Sequence, residues 1–232
     1  MKFETTIKQI IPRALDITSF RFSRPNQFNY KPGQYLFITI KQGSKELTKP
    51  FSFSSSPTEK DHIEFTKKLT DHEYSIALKN SKVGDWARID APYGELTFEG
   101  EYPKIALLAG GIGITPFVSI CKNATEKHLN SQITLFYGCS TEEELVFKQE
   151  FEAMQIQNKK LKVIFTLSQP SPQWRGLTGR INVELIKQIL PDYKEHMFFA
   201  CGPPPMVKAM EILLESLGLP RNKLKIESLI GH

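Results

Sequence analysis

The chain has 232 residues, 40% of them hydrophobic, with 30 Lys and Arg against 25 Asp and Glu. That length supports two modest domains or one large one around a real core, and the charges run along the chain without a block of one sign, which speaks against a nucleic-acid-binding tail and leaves a basic patch for an acidic partner open. Cys121, Cys139 and Cys201 stand far apart with no CxxC pair, so no disulfide framework, metal site or iron–sulfur cluster is expected, and a reducing cytoplasm is.

The opening "MKFETTIKQIIPR" carries charges where a signal peptide needs an apolar core, so no export is expected. Up to Phe98 the chain reads as short alternating segments, among them "YLFITI" after the turn "KPGQ", "HIEFTKKL" and "WARIDAP", separated by Pro, Gly and Ser. That pattern predicts antiparallel strands forming a small barrel over residues 1–98. "EGEYP", Glu99 to Pro103, is the expected hinge. From Lys104 to the end, apolar strands ("KIALLAGG", "SQITLFYG", "LKVIFTLS", "HMFFACG", "KLKIESLI") alternate with helical patterns ("FVSICKNATEKHL", "EELVFKQEFEAMQ", "NVELIKQIL", "MVKAMEILLESLG"). This predicts a parallel sheet with crossover helices over residues 104–232. The charge-free run from Ile105 to Cys121 is too short and too rich in glycine to span a membrane.

In an open parallel sheet, ligands bind at the carboxyl ends of the strands where strand order reverses, here between "AGGIGITP" and "ACGPPPM". Gly110, Gly111 and Gly113 permit close backbone approach, Thr115 can cap the following helix, and Pro116 suits its first turn. Pro116 also stands where a dinucleotide fingerprint would have its third glycine, so taken alone the motif serves a ligand or merely a tight turn equally well. The three prolines after Gly202 give up amide donors, so that turn is poorly suited to holding a phosphate.

Four motifs in order, "KPFSFSSSP" (Lys49 to Pro57), "APYGELTF" (Ala91 to Phe98), "LLAGGIGITPF" (Leu107 to Phe117) and "CGPPPMV" (Cys201 to Val207), make the whole chain resemble the ferredoxin–NADP reductase family of flavoproteins. The resemblance implies a fold of class β + α/β: an N-terminal antiparallel Greek-key β-barrel that binds FAD, followed by a parallel-sheet Rossmann-like domain that binds NAD(P)H. It implies that Lys49, standing for the family's arginine, meets the FAD pyrophosphate, and that Phe51, standing for a tyrosine, lies against the flavin beside Pro50. Ser52 matches the hydroxyl that approaches flavin N5, and Phe53 and Ser54, with Ser55, continue toward the flavin edge; an exposed polar strand end is the plainer reading of that serine run. Ser75 keeps a second pyrophosphate contact, although His72 replaces the glycine that usually precedes it.

By the same resemblance, the turn formed by Cys201, Gly202, Pro203 and Met206 passes beside the nicotinamide, and the glycine turn with Thr115 and Pro116 lies near the dinucleotide's pyrophosphate. Cys201 by itself reads equally as a small buried hydrophobe. Glu227 matches an acidic residue near the flavin, while Leu229 and His232 depart from the family's aromatic ending. Ser140 and Gln169 stand where NADP-preferring relatives place arginines, with Glu142, Glu143 and Glu144 nearby, so NADH is weakly favoured over NADPH unless Arg175, Arg180 or Lys148 moves in. The expected activity is hydride transfer from NAD(P)H to flavin N5 through Ser52, Cys201 and Glu227, with electrons passing to a separate carrier such as ferredoxin or a partner oxygenase. Two alternatives stand beside it: an NAD(P)H:flavin oxidoreductase that holds flavin loosely, suggested also by "WRG" at Trp174 to Gly176, and a non-catalytic binding subunit on the same scaffold.

Overall fold

The structure, a computed structural model, describes residues 1–228. Strands β1 (Lys2–Ala14), β2 (Ile17–Ser23), β3 (Tyr35–Gln42), β4 (Lys45–Ser52), β5 (His62–Lys68) and β6 (Trp86–Tyr93) form one antiparallel sheet in the order β4-β3-β6-β1-β2-β5, with helix α1 (Glu73–Lys79) between β5 and β6. The sheet curls into a half-barrel whose two edges meet where Phe53 bridges to Phe65. Inward positions such as Phe20, Phe22, Ile38, Phe65 and Ile89 fill it, as the period-2 pattern requires.

The second half contains β7 (Lys104–Gly110), α2 (Thr115–Glu126), β8 (Gln132–Cys139), α3 (Lys148–Gln157), β9 (Leu161–Leu167), β10 (Leu177–Thr178), α4 (Val183–Ile189), β11 (Met197–Gly202), α5 (Pro204–Ser216) and β12 (Leu224–Ser228). Its sheet is parallel in the order β10-β9-β8-β7-β11-β12, so the strand order reverses between β7 and β11, where the sequence placed the crevice. One helical layer packs with α2 on a core built around Leu107, Phe117 and Leu135, and the other packs with α5 around Leu108, Phe198 and Leu213.

Two differences from the sequence reading have local causes. Helix α3 begins at Lys148 and not near Glu143, because Leu145, Val146 and Phe147 are buried and Phe147 adopts the left-handed conformation (φ 62°), which stops a helix from running through it. Strand β10 is only two residues long and carries no periodicity to read. Leu96 and Phe98 belong to the core around α2 and so tie the barrel to the parallel-sheet half.

Candidate functional site

The crevice between β7 and β11 is built by glycines that let two turns press together. A Cβ on Gly113 would lie 2.3 Å from the Cys201 carbonyl oxygen, and one on Gly202 would lie 2.9 Å from the Met206 sulfur and 3.3 Å from the Gly110 carbonyl oxygen. A Cβ on Gly110 would in turn meet Met206 Cγ at 3.1 Å. Met206 therefore lies across both turns, and Gly110, Gly113 and Gly202 are small because protein packs against them. Gly111 is different: its φ is +52° and its Cβ direction is open. Pro116 sits in the first turn of α2 as expected, but Thr115 does not cap it. Thr115 is already helical, its hydroxyl donates to the Ile112 carbonyl at 3.1 Å, and Ile114 holds the cap position.

The three residues assigned to the reaction by resemblance come from three strands and meet. Ser52 ends β4 and is 4% exposed; its hydroxyl donates to Glu227 Oε1 at 2.8 Å across the domain boundary. Glu227 on β12 pairs in register with Cys201 on β11. Burial pushes the Glu227 carboxyl above the usual carboxylate range, partly offset by the Ser52 hydroxyl, and burial together with the Glu227 charge holds the Cys201 thiol well above its ordinary value. Cys201 is thus a neutral thiol, and Glu227 keeps its proton to higher pH than a free carboxyl does.

A second cleft, of about 390 Å³, opens on the barrel between β4, β5 and the start of α1, lined by Lys49, Pro50, Phe51, Lys67, His72 and Ser75, among others. The sequence reading assigned four of these six to the cofactor, named His72 only as the replacement for a glycine, and missed Lys67, the most unusual. Lys67 is only 4% exposed, its ammonium lies 5.5 Å from the Phe51 ring centre, and burial, with Lys49 adding, pulls its pKa down to about 8. Neither lysine forms an ion pair or hydrogen bond with a described residue. A lysine whose stem is buried and whose ammonium opens into the cleft beside a second cation, with no ion-pair partner, suits a bound polyanion, so this cleft fits the pyrophosphate of FAD. A signal was present: Lys67 is in phase with Ile63 and Phe65, which face the barrel core.

Other members of the motif turn away from the cleft. Phe51 contributes to the wall, with its ring stacked on Phe65 at 4.5 Å. Phe53 is fully buried and stacks on Tyr30 at 3.9 Å. Ser54 donates to Glu64 Oε1 at 2.9 Å inside the molecule, and the Ser55 and Tyr30 hydroxyls share a hydrogen bond of 2.8 Å. The structure therefore does not bring Phe53 or Ser54 to the cleft. Ser75 is fully buried with its hydroxyl 3.2 Å from that of Thr70, and His72 caps α1 with no side-chain bond.

At the far end of the crevice the connections after β8 and β9 are sewn together: the Gln169 amide donates to the Ser140 carbonyl at 2.9 Å, and the Ser171 hydroxyl donates to Glu142 Oε1 at 2.6 Å. Pro203 caps α5 with a φ of −58°. Arg175 donates to the Pro172 carbonyl and Arg180 is exposed; Lys148 pairs with Glu152 at 3.8 Å. Arg175 and Lys148 border a shallow groove of about 730 Å³ that also holds Glu142, Glu143 and Trp174 but neither Ser140 nor Gln169. Among the described residues no cluster could hold a metal ion, and no helix is long and apolar enough to cross a membrane.

A barrel with a cationic cleft, joined edge to edge with a parallel sheet whose switch point faces that barrel, defines a flavin- and nicotinamide-dependent oxidoreductase. Residues 2–98 match the oxidoreductase FAD-binding domain and residues 107–211 the oxidoreductase NAD-binding domain. NADH-cytochrome b5 reductase 1 of Dictyostelium discoideum is 30% identical over 96% of this chain and 80% of that protein. The glycine betaine monooxygenase reductase subunit of Chromohalobacter salexigens is 27% identical over 95% of this chain, which spans 62% of that longer protein. Among solved structures, the cytochrome b5 reductase domain of Ulva prolifera nitrate reductase superposes with a TM-score of 0.87 over 98% of this chain and 97% of that one, at 23% identity, a likeness of fold. The chain belongs to the ferredoxin reductase-like family of FAD- and NAD-binding oxidoreductases, and it is an FAD-containing, NAD(P)H-dependent enzyme.

Proposed function

We propose that this protein is an NADH-preferring reductase that passes electrons from nicotinamide through FAD to a separate protein acceptor, with residues 1–98 as the flavin unit and 104–232 as the nicotinamide unit. The observation that carries the reading is the 2.8 Å hydrogen bond from Ser52 to Glu227, because it brings the end of a barrel strand and the end of a parallel-sheet strand together at one part-buried point. FAD, when bound, supplies the chemistry that turns a two-electron donor into a source of single electrons. The chain's own residues position and hold charge. Lys49 and Lys67 hold the two phosphates. Ser52 donates to Glu227 and would stand next to the reacting edge, where the raised carboxyl could take up or release a proton. Gly202 lets the Met206 side chain and the Gly110 backbone close against the Cys201 turn, and that packed turn would present a rigid surface to a flat ring, as the approach of two reactants requires. The names of the relatives support an acceptor of the cytochrome or oxygenase class.

Anaerobic addition of NADH to the purified yellow protein should bleach its flavin absorbance, and an added one-electron acceptor protein should restore it. A protein that carries flavin yet is not bleached by either nicotinamide cofactor overturns the reading. One feature favours a looser flavin: Lys49 stands where the family has a two-pronged guanidinium, so in this cleft the pyrophosphate relies on the point charges of Lys49 and Lys67. Loss of the yellow colour on gel filtration, with turnover restored by free flavin, would favour a flavin reductase.

A further inference from the structure

Glu144 lies in the connection between β8 and α3, four residues past Ser140, and holds three points of that connection at once. Its Oε2 accepts the Ser140 amide at 3.0 Å, and its backbone carbonyl accepts the buried Tyr137 hydroxyl at 3.1 Å. Its Oε1 reaches the other half of the molecule and accepts Lys68 Nζ, on β5 of the barrel, at 2.9 Å. Burial works against ionising this carboxyl, but Lys68 and the Ser140 amide outweigh it and hold the group below the usual range. The other end of the same connection is also held from the barrel. Arg13 lies 4.6 Å over the ring of Phe147, the left-handed residue before α3, and donates to Glu150 Oε1 at 2.6 Å. Glu142 then passes the placement on to the connection that bears Gln169, by accepting both the amide and the hydroxyl of Ser171.

We propose that Lys68 and Glu144 are positioning residues for the nicotinamide dinucleotide: the barrel, which binds flavin, fixes through this interdomain strut the Ser140 connection that receives the adenosine end. The inference rests on the proposed function, since it needs Ser140 to face a dinucleotide. Adjacent positions on β5 then serve both cofactors, because Lys67 points into the flavin cleft and Lys68 points out to Glu144. A glutamate beside a polyanion would by charge alone weaken binding, so a glutamate kept there and bonded to a backbone amide has its use in geometry.

The test is calorimetric binding of ADP-ribose, which keeps the adenosine end and lacks nicotinamide, to the flavin-loaded protein. Lys68→Met and Glu144→Gln should each weaken binding about three- to five-fold, near the upper end of what a half-exposed ion pair supplies, while flavin content and thermal midpoint stay close to those of the parent. Lys68→Arg should restore affinity, and the double variant should bind no worse than the weaker single, because both changes break one strut. The two singles have opposite charge effects: if Glu144→Gln binds tighter while Lys68→Met binds weaker, only charge is at work and the inference is overturned. Unchanged affinity in Lys68→Met also overturns it. Failure of the parent protein to bind ADP-ribose would instead sink the nicotinamide reading on which it rests.

Discussion

Ser52 on the last residue of β4 and Glu227 on β12 share a 2.8 Å hydrogen bond although 175 positions separate them in the chain. A buried carboxyl with its pKa raised keeps its proton to higher pH in the folded protein than in the unfolded chain, so it lowers stability as pH rises from the unfolded value through the folded one. Glu227→Gln should therefore remove that decline, so that the thermal midpoint of the variant gains on that of the parent as pH rises from acid to neutral. If the difference between the two midpoints does not change with pH, Glu227 is not the group that titrates.

Ser52→Ala removes the hydroxyl that partly offsets the burial of Glu227 and, on the proposed reading, the group nearest the reacting edge. Flavin reduction by NADH in a single turnover should slow by about ten-fold or more, the scale of one lost positioning hydrogen bond, with the fold intact. A rate equal to that of the parent removes Ser52 from the site.

Lys67 yields a prediction of opposite sign. Its folded pKa of about 8 lies below the ordinary lysine value of 10.5, so the unfolded chain binds more protons between those values and the flavin-free protein should gain stability as pH rises through that window. Phosphate favours the charged ammonium, so FAD affinity should fall as pH rises above about 8. Lys67→Met should stabilise the flavin-free protein yet weaken FAD by about ten-fold or more, one charge-assisted contact, while riboflavin, which lacks phosphate, binds as before. Equal loss of riboflavin and FAD would mean that Lys67 shapes the wall and does not hold the phosphates.

The glycines of the crevice are separated by what a side chain would meet. Gly113→Ala forces a Cβ to 2.3 Å from a backbone oxygen that cannot swing away, and should cost about 1–3 kcal/mol in denaturant unfolding. Gly202→Val meets the end of Met206, which can move, and the Gly110 backbone at the looser distance of 3.3 Å, so it should cost less stability than Gly113→Ala, and displacing Met206 across the crevice should show mainly as a higher KM for NADH. A larger stability loss in Gly202→Val than in Gly113→Ala would show that Met206 cannot yield.

The longer strands and the helices of the parallel half were legible as apolar or amphipathic periods, while two-residue β10 carried none and Phe147 in the left-handed conformation moved the start of α3. Ser52, Cys201 and Glu227 were named together only through the family resemblance. The purpose of Gly110, Gly113 and Gly202 was not legible, since glycine reads the same whether a ligand or Met206 lies against it. Nor was the inward turn of Phe53 and Ser54: past Ser52 the chain leaves β4 and bridges to β5, a long-range pairing with no local pattern. Lys67 was legible in principle, as a lysine in the apolar phase of β5, but a lone charge in such a phase gains meaning only once Lys49 is seen beside it.

Cofactor choice rests on the end of the crevice where Ser140 and Gln169 meet through a backbone bond. A 2′-phosphate brings nearly two negative charges, and each charge-assisted hydrogen bond to it contributes about 1.5–3 kcal/mol. Ser140 and Gln169 can bond a ribose hydroxyl without charge, Glu142 is fixed on Ser171, and Arg175 and Lys148, which border a groove that holds neither Ser140 nor Gln169, are turned to Pro172 and Glu152. Hence kcat/KM for NADH should exceed that for NADPH, and Ser140→Arg with Gln169→Arg should move the ratio toward NADPH by about ten-fold or more. The gain should shrink as salt rises, because the new pairs would be partly exposed. If the natural protein prefers NADPH, Arg175→Ala, Arg180→Ala and Lys148→Ala, assayed one by one, will show which cation leaves its present partner to hold the phosphate.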